Sequence, residues 1–163
     1  MAGSAFGQRG LQTAEGITNF HRVNELLYRG AQPDEAGLEV LKRLGVKTIV
    51  DLQMPKEIWP AEAAKAQTAG ITYTNVPLRG LSRPTKEQIA TVLAIIKSGP
   101  APVYIHCEHG CDRTGTVIAC YRIQQEQWPM TKALAEAKQY GMSRWEIGMK
   151  RFVKAFGQVQ EKR

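Results

Sequence analysis

The sequence predicts a single α/β domain whose central, mostly parallel sheet is flanked by helices. Three observations predict it. Short apolar strand patterns alternate with helix-period patterns along most of the chain. A run of helices then closes the C-terminal third and gives the sheet its cover. The 163 residues suit one domain, and 43% hydrophobic with 23% charged residues marks a globular chain rather than a disordered one.

Residues 1–16 are Gly- and polar-rich and are expected to form a disordered N-terminal extension, with the folded domain over 17–160. Ile17–Val23 and Leu26–Arg29 read as short strands. Pro33-Asp34 opens a helix with Leu38, Leu41 and Leu44 on one face, and Gly45 stops it. Lys47–Leu52 is a buried strand, Ala61–Ala69 a helix ended by Gly70, and Ile71–Val76 the next strand. Pro77–Pro84 is a loop. Thr85 and Gln88 form a capping box before a helix with Ile89, Val92, Leu93 and Ile96 inward, and Gly99-Pro100 ends that helix. Val103–His106 is the central strand and Thr114 to about Gln127 the helix after it. Another helix runs from Thr131 to Gly141. Ser143 and Glu146 read as a second capping box, opening a last helix with Trp145, Met149, Phe152, Val153 and Phe156 inward.

The net charge of +7 reads equally as plain solubility or as attraction of an anionic substrate. Nucleic acid is not an expected partner: Lys150, Arg151 and Lys154 read as the wet face of a helix, and no basic stretch is interleaved with aromatics. No apolar run reaches the roughly 20 residues of a membrane span. Met1–Gly10 lacks the apolar core of a signal peptide, so a cytoplasmic protein is the default expectation, with an exported mature form left open. A monomer is expected. The three cysteines, Cys107, Cys111 and Cys120, are odd in number and close in sequence, which is no disulfide framework. Cys120 reads as a small buried apolar residue.

The segment Val103–Gly115 carries the chemistry: a buried strand, a tight loop and a helix start, with Cys107 and Arg113 six positions apart. Such an order builds a cradle of backbone N–H groups at a helix N-terminus, a ready site for a phosphate dianion. The same positive surroundings favour Cys107 as the nucleophilic thiolate. Arg113 offers a planar fork to two phosphate oxygens. The amides of Glu108, His109, Gly110, Cys111, Asp112 and Arg113 would line the cradle, and Gly110 lets the backbone approach the ligand. The Thr114 hydroxyl would bond the sulfur and ease its departure. The His106 ring would fix the loop from behind. Cys111 lies where it would trap an oxidised Cys107 as a disulfide. His106, Cys107, His109 and Cys111 also offer soft metal ligands, but His106 and Cys107 as strand neighbours face opposite ways, so no metal is expected.

His106–Gly115 resembles the signature loop of the cysteine-dependent protein tyrosine and dual-specificity phosphatases. Leu27-Tyr28-Arg29-Gly30-Ala31-Gln32-Pro33 and Leu44–Leu52 are similar to the small bacterial, and the plant and fungal atypical, dual-specificity phosphatases. The resemblance covers roughly residues 20–156 and implies the cysteine phosphatase fold, a catalytic domain over 17–160, a phosphocysteine intermediate and no cofactor. It implies a phosphorylated protein, peptide or small phosphate ester as substrate. One departure stands out. The family carries a general-acid aspartate about thirty residues before the cysteine, where this chain has Pro77–Pro84 and no acid. Glu87, the nearest, reads as a helix-dipole residue. Asp112 is the better candidate, since Asp112-Arg113-Thr114 resembles the myotubularin and Sac-type phosphoinositide phosphatases; the alternative for Asp112 is a structural salt bridge. Arg79 and Arg83 flank the loop where substrates enter in the family and read either as recruiting residues for extra phosphates or acidic groups or as solvated loop arginines. A phosphoinositide or inositol phosphate substrate, a phosphate-ester-binding module with weak turnover, and a sulfur-transfer or arsenate-reducing cysteine loop are the alternative functions.

Overall fold

The computed structural model describes residues 13–162. A hairpin of β1 (Thr13–Ala14) and β2 (Ile17–Thr18) precedes β3 (His21–Asn24) and β4 (Leu27–Ala31). Helix α1 (Glu35–Arg43), β5 (Thr48–Asp51), a 3-10 turn (Pro55–Glu57), α2 (Glu62–Thr68) and β6 (Thr72–Asn75) follow. Helix α3 (Lys86–Ser98) leads to β7 (Val103–Cys107), and α4 (Asp112–Glu126), α5 (Met130–Gln139) and α6 (Ile147–Gln160) end the described chain. The central sheet has the order β3-β4-β7-β5-β6. Only the β3–β4 pair is antiparallel; the other three pairs are parallel.

Strand β7 lies in the middle, buried on both faces, and its side chains alternate between two cores. Val103, Ile105 and Cys107 join the cluster built with Val50, Leu52 and the apolar faces of α3, α4 and α6. Tyr104 faces the other way, among Tyr28, Leu38, Leu41 and Ile49. Each fully buried Leu or Ile of these layers contributes about 1.5–3 kcal/mol through lost contact with water. Local chemistry sets the helix starts. The Asp34 carboxylate accepts the Gly37 N–H and caps α1, and Thr85 and Gln88 form the expected capping box on α3.

Several elements differ from expectation. Residues 1–12 of the N-terminal extension lie outside the described residues, but Thr13 and Ala14 pair with Thr18 and Ile17, so order begins before residue 17. Ile17–Val23 is two short strands, because Asn19 turns the chain at φ 53°. Leu44 caps α1 and is 40% exposed, as it lies one position past the buried face. The 3-10 turn at Pro55–Glu57 carries no periodic signal and was not expected. Ser143 and Glu146 form no capping box: the Ser143 hydroxyl accepts the Trp145 N–H, and Glu146 instead accepts the Leu81 N–H from across the fold. Trp145 therefore precedes α6 and points outward at 68% exposure, while Met149, Phe152 and Val153 are buried as expected. Among the described residues no helix is long and apolar enough to cross a membrane.

Candidate active site

Strands β4, β7 and β5 run parallel, so their C-terminal ends open on one edge of the sheet. That edge is where α/β proteins place ligands. The loop from Cys107 to Asp112 sits there, between the end of β7 and the first turn of α4. Gly110 takes φ 69°, and a Cβ built on it would lie 2.3 Å from the Gly30 carbonyl carbon. No other residue fits: the loop crosses the β4 backbone in direct contact. Among the described residues the amides of Glu108, His109, Gly110 and Cys111 donate to no backbone acceptor. With the first-turn amides of α4 they form a set of unspent donors at a helix N-terminus, where the dipole also favours an anion.

Cys107 is 3% exposed, and the Thr114 hydroxyl donates to its sulfur at 3.1 Å. Arg113 is buried at the first turn of α4. It donates from Nη1 to Glu57 Oε2 at 2.5 Å and to the Leu78 carbonyl at 3.4 Å. Burial works against its charge, but the bonded Glu57 carboxylate and the nearby Cys107 sulfur outweigh that and hold the guanidinium proton more tightly than usual. The two groups at the ends of the loop thus lie near enough to feel each other's charge. Glu57, carried by the 3-10 turn, is one residue that sequence reasoning missed. Its bond to Arg113 holds its carboxyl below the usual range, so it is an anion throughout neutral pH.

Asp112 makes no ion pair among the described residues; its Oδ1 accepts the Ser143 N–H at 2.7 Å. Beside it stands Glu146, 3% exposed, whose carboxyl is pushed up by burial and by the Asp112 charge. His106 reaches away from the sulfur, as strand alternation dictates. Its Nε2 lies 2.8 Å from Glu62 Oε1 on α2, and its Nδ1 is 3.9 Å from Asp51 Oδ1; all three side chains are fully buried. Asp51, Glu62 and His106 are close enough to share an ion. The Asp51 oxygens are already taken by the Gln53 N–H and the Tyr73 hydroxyl, at 2.8 and 2.7 Å, so the cluster lacks a third free ligand.

The remaining expected residues lie at the rim. Glu108 and His109 are exposed and face each other at 3.6 Å, so only their backbones serve the cradle. The Cys111 thiol is half-buried and raised by burial; it sits 3.4 Å from Asn19 Nδ2. Arg79 is exposed on the 77–84 loop. Arg83 is exposed on the same loop, with its guanidinium 5.9 Å from the Phe152 ring of α6.

A mostly parallel sheet carrying a cysteine-to-arginine loop at its C-terminal edge defines the cysteine phosphatase class of α/β domain. Within that class the chain belongs to the PTP-NADK family, described as a DSP-PTPase phosphatase fused to NAD+ kinase, whose family model matches residues 10–155. It is 32% identical over 139 residues to the dual specificity protein phosphatase TpbA of Pseudomonas aeruginosa, covering 80% of this chain and 58% of that protein. The chain thus spans a little over half the length of this relative. It is 26% identical over 145 residues to the inositol diphosphatase DSP3 of Arabidopsis thaliana, covering 85% of this chain and 70% of that one. The crystal structure of P. aeruginosa TpbA superposes with a TM-score of 0.74 at 26% identity, covering 93% of this chain and 95% of that one.

Proposed function

We propose that the chain is a cysteine-dependent phosphatase that hydrolyses phosphate monoesters of the phosphotyrosine and dual-specificity type. The observation that supports this most is the pairing of the buried Cys107 sulfur, bonded by the Thr114 hydroxyl, with the buried Arg113 guanidinium at the two ends of one loop of unspent amides. The Cys107 thiolate attacks phosphorus in line, forming the S–P bond as the ester P–O bond breaks. The leaving oxygen takes a proton from Asp112. Arg113 and the amides hold the three remaining oxygens and stabilise the charge that spreads over them in the transition state. Glu57 occupies one end of the Arg113 fork and leaves the rest of it to the phosphate. Water then attacks the phosphocysteine, returning its proton to Asp112, and the sulfur leaves as a thiolate into the Thr114 hydroxyl bond.

A second reading, an inositol phosphate or phosphoinositide substrate, is supported by the exposed Arg79, by the net charge of +7 and by the named activity of the Arabidopsis relative. The test is hydrolysis of p-nitrophenyl phosphate by wild type and Cys107→Ser, followed by competition with phosphotyrosine peptides and with inositol phosphates. Phosphate release that vanishes in the serine variant is expected. Tight phosphate-ester binding without release would make the chain a binding module instead.

A further inference from the structure

Behind the Cys107–Arg113 loop lies a polar cluster that the chemistry above does not use. Arg29, in β4, is fully buried and donates from Nη2 to the Gly110 carbonyl at 2.9 Å. Asn19, 3% exposed, donates from Nδ2 to the same carbonyl at 3.1 Å. The Asn19 amide also lies 3.3 Å from the His109 carbonyl and 3.0 Å from that of Tyr140. His21 Nε2 is 3.2 Å from Asn19 Oδ1. Burial, aided by the Arg29 charge, pushes the His21 ring down to about 4, so it is neutral at pH 7. A neutral ring meeting an oxygen that only accepts must donate from Nε2. That bond orients the Asn19 amide, turning its NH2 toward the loop.

The geometric consequence concerns one peptide plane. A trans peptide carries its C=O and N–H on opposite sides. Two donors that hold the Gly110 oxygen down against β4 therefore turn the Cys111 N–H up, to the face where an anion would sit. There is also an electrostatic consequence. Arg29 Nε and Nη1 are buried without hydrogen-bond partners, and among the described residues no carboxylate lies within ion-pair distance of the guanidinium. Its other close neighbour is the Tyr140 ring, at 4.7 Å. Burial weakens its hold on its proton, while Glu136 and Cys107 pull the other way. A desolvated, uncompensated cation is costly unless an anion comes near. The loop brings two: the thiolate and the phosphate.

We propose that Arg29 and Asn19 are positioning residues for the loop's anion: together they set the Gly110–Cys111 peptide with its N–H toward the phosphate, and Arg29 adds a buried positive charge beneath it. This rests on the reading of the loop as a phosphate site. It gives the Leu27–Pro33 motif a role beyond strand formation.

Tungstate binding by calorimetry and iodoacetamide alkylation of the Cys107 peptide, at fixed pH, separate the two effects. In Arg29→Met, tungstate affinity falls roughly tenfold to hundredfold, the scale of a charge-assisted hydrogen bond, and alkylation slows. Arg29→Lys restores the alkylation rate but not the affinity, because the charge returns without the fork. Asn19→Ala weakens tungstate and leaves alkylation near wild type. A purely structural role would lower the melting temperature without this split. Folded variants that bind tungstate within twofold of wild type overturn the proposal; should Arg29→Met fail to fold, Asn19→Ala decides alone. A wild-type chain that binds no tungstate overturns the phosphate reading itself, and this inference with it.

Discussion

Asp112 has two oxygens with different environments. Oδ1 is committed to the Ser143 N–H, while Oδ2 has no partner among the described residues and is the oxygen that can carry a proton. The Ser143 bond fixes the carboxyl against rotation, which a proton donor needs. Glu146 stands close by, and burial favours its neutral form, so it adds less repulsion than a second carboxylate would. Proton donation matters most when the leaving oxygen is basic. Asp112→Asn is therefore expected to cut kcat on an alkyl phosphate by about 10²–10⁴-fold and far less on p-nitrophenyl phosphate. Comparing kcat on the two esters checks this, and equal losses would remove Asp112 from the proton-transfer step.

At the scale of elements, the 3-10 turn contributes more to the site than its three residues suggest. Glu57 Oε2 accepts the Met54 N–H at 3.1 Å as well as the Arg113 donor, so the turn and the arginine lock each other. Glu57→Gln keeps the shape and removes the charge. It is expected to lower kcat/KM roughly tenfold, on the scale of one charge-assisted bond, and equally on alkyl and aryl esters, because Glu57 stays ionised and transfers no proton. A larger loss on the alkyl ester would give Glu57 the role assigned to Asp112. This turn also marks where sequence reading ends. The Thr85–Gln88 box, the α3 face and β7 were legible because their signals are local: a cap spacing, a 3.6 period, a run of apolar residues. The loop was legible because Cys107, Gly110, Arg113 and Thr114 lie within eight consecutive residues. Glu57 and Glu62 were not, since each meets its partner across 44 or more positions, and nothing beside them in the chain announces it. Ser143 and Glu146 misled for the same reason: a local box was available, and a long-range bond to Leu81 won.

The whole molecule couples site and stability through charge. Among the groups with shifted protonation around the loop, His21, Glu57 and Glu146 matter in the acid range, and their signs differ. His21 has a folded value of about 4 against an ordinary 6.5, so the unfolded chain takes up a proton first as pH falls. Its contribution to stability is therefore intact above 6.5 and is lost as pH falls from 6.5 toward 4. Glu57 is held low, so its contribution disappears only below the ordinary carboxylate range. Glu146 is held high, so its burial penalty is relieved as pH falls, which opposes the His21 trend at the acid end. The melting temperature of the wild type is expected to drop between pH 6.5 and 4.5, before any carboxylate bonded in the native state titrates fully. His21→Gln, which cannot take up a proton yet still donates an N–H toward Asn19, is expected to flatten that slope. Melts at half-unit pH steps on both proteins measure it. Parallel curves would mean that the ring is not held neutral against the loop, and the orientation of Asn19 beneath the Gly110 carbonyl would then need another cause.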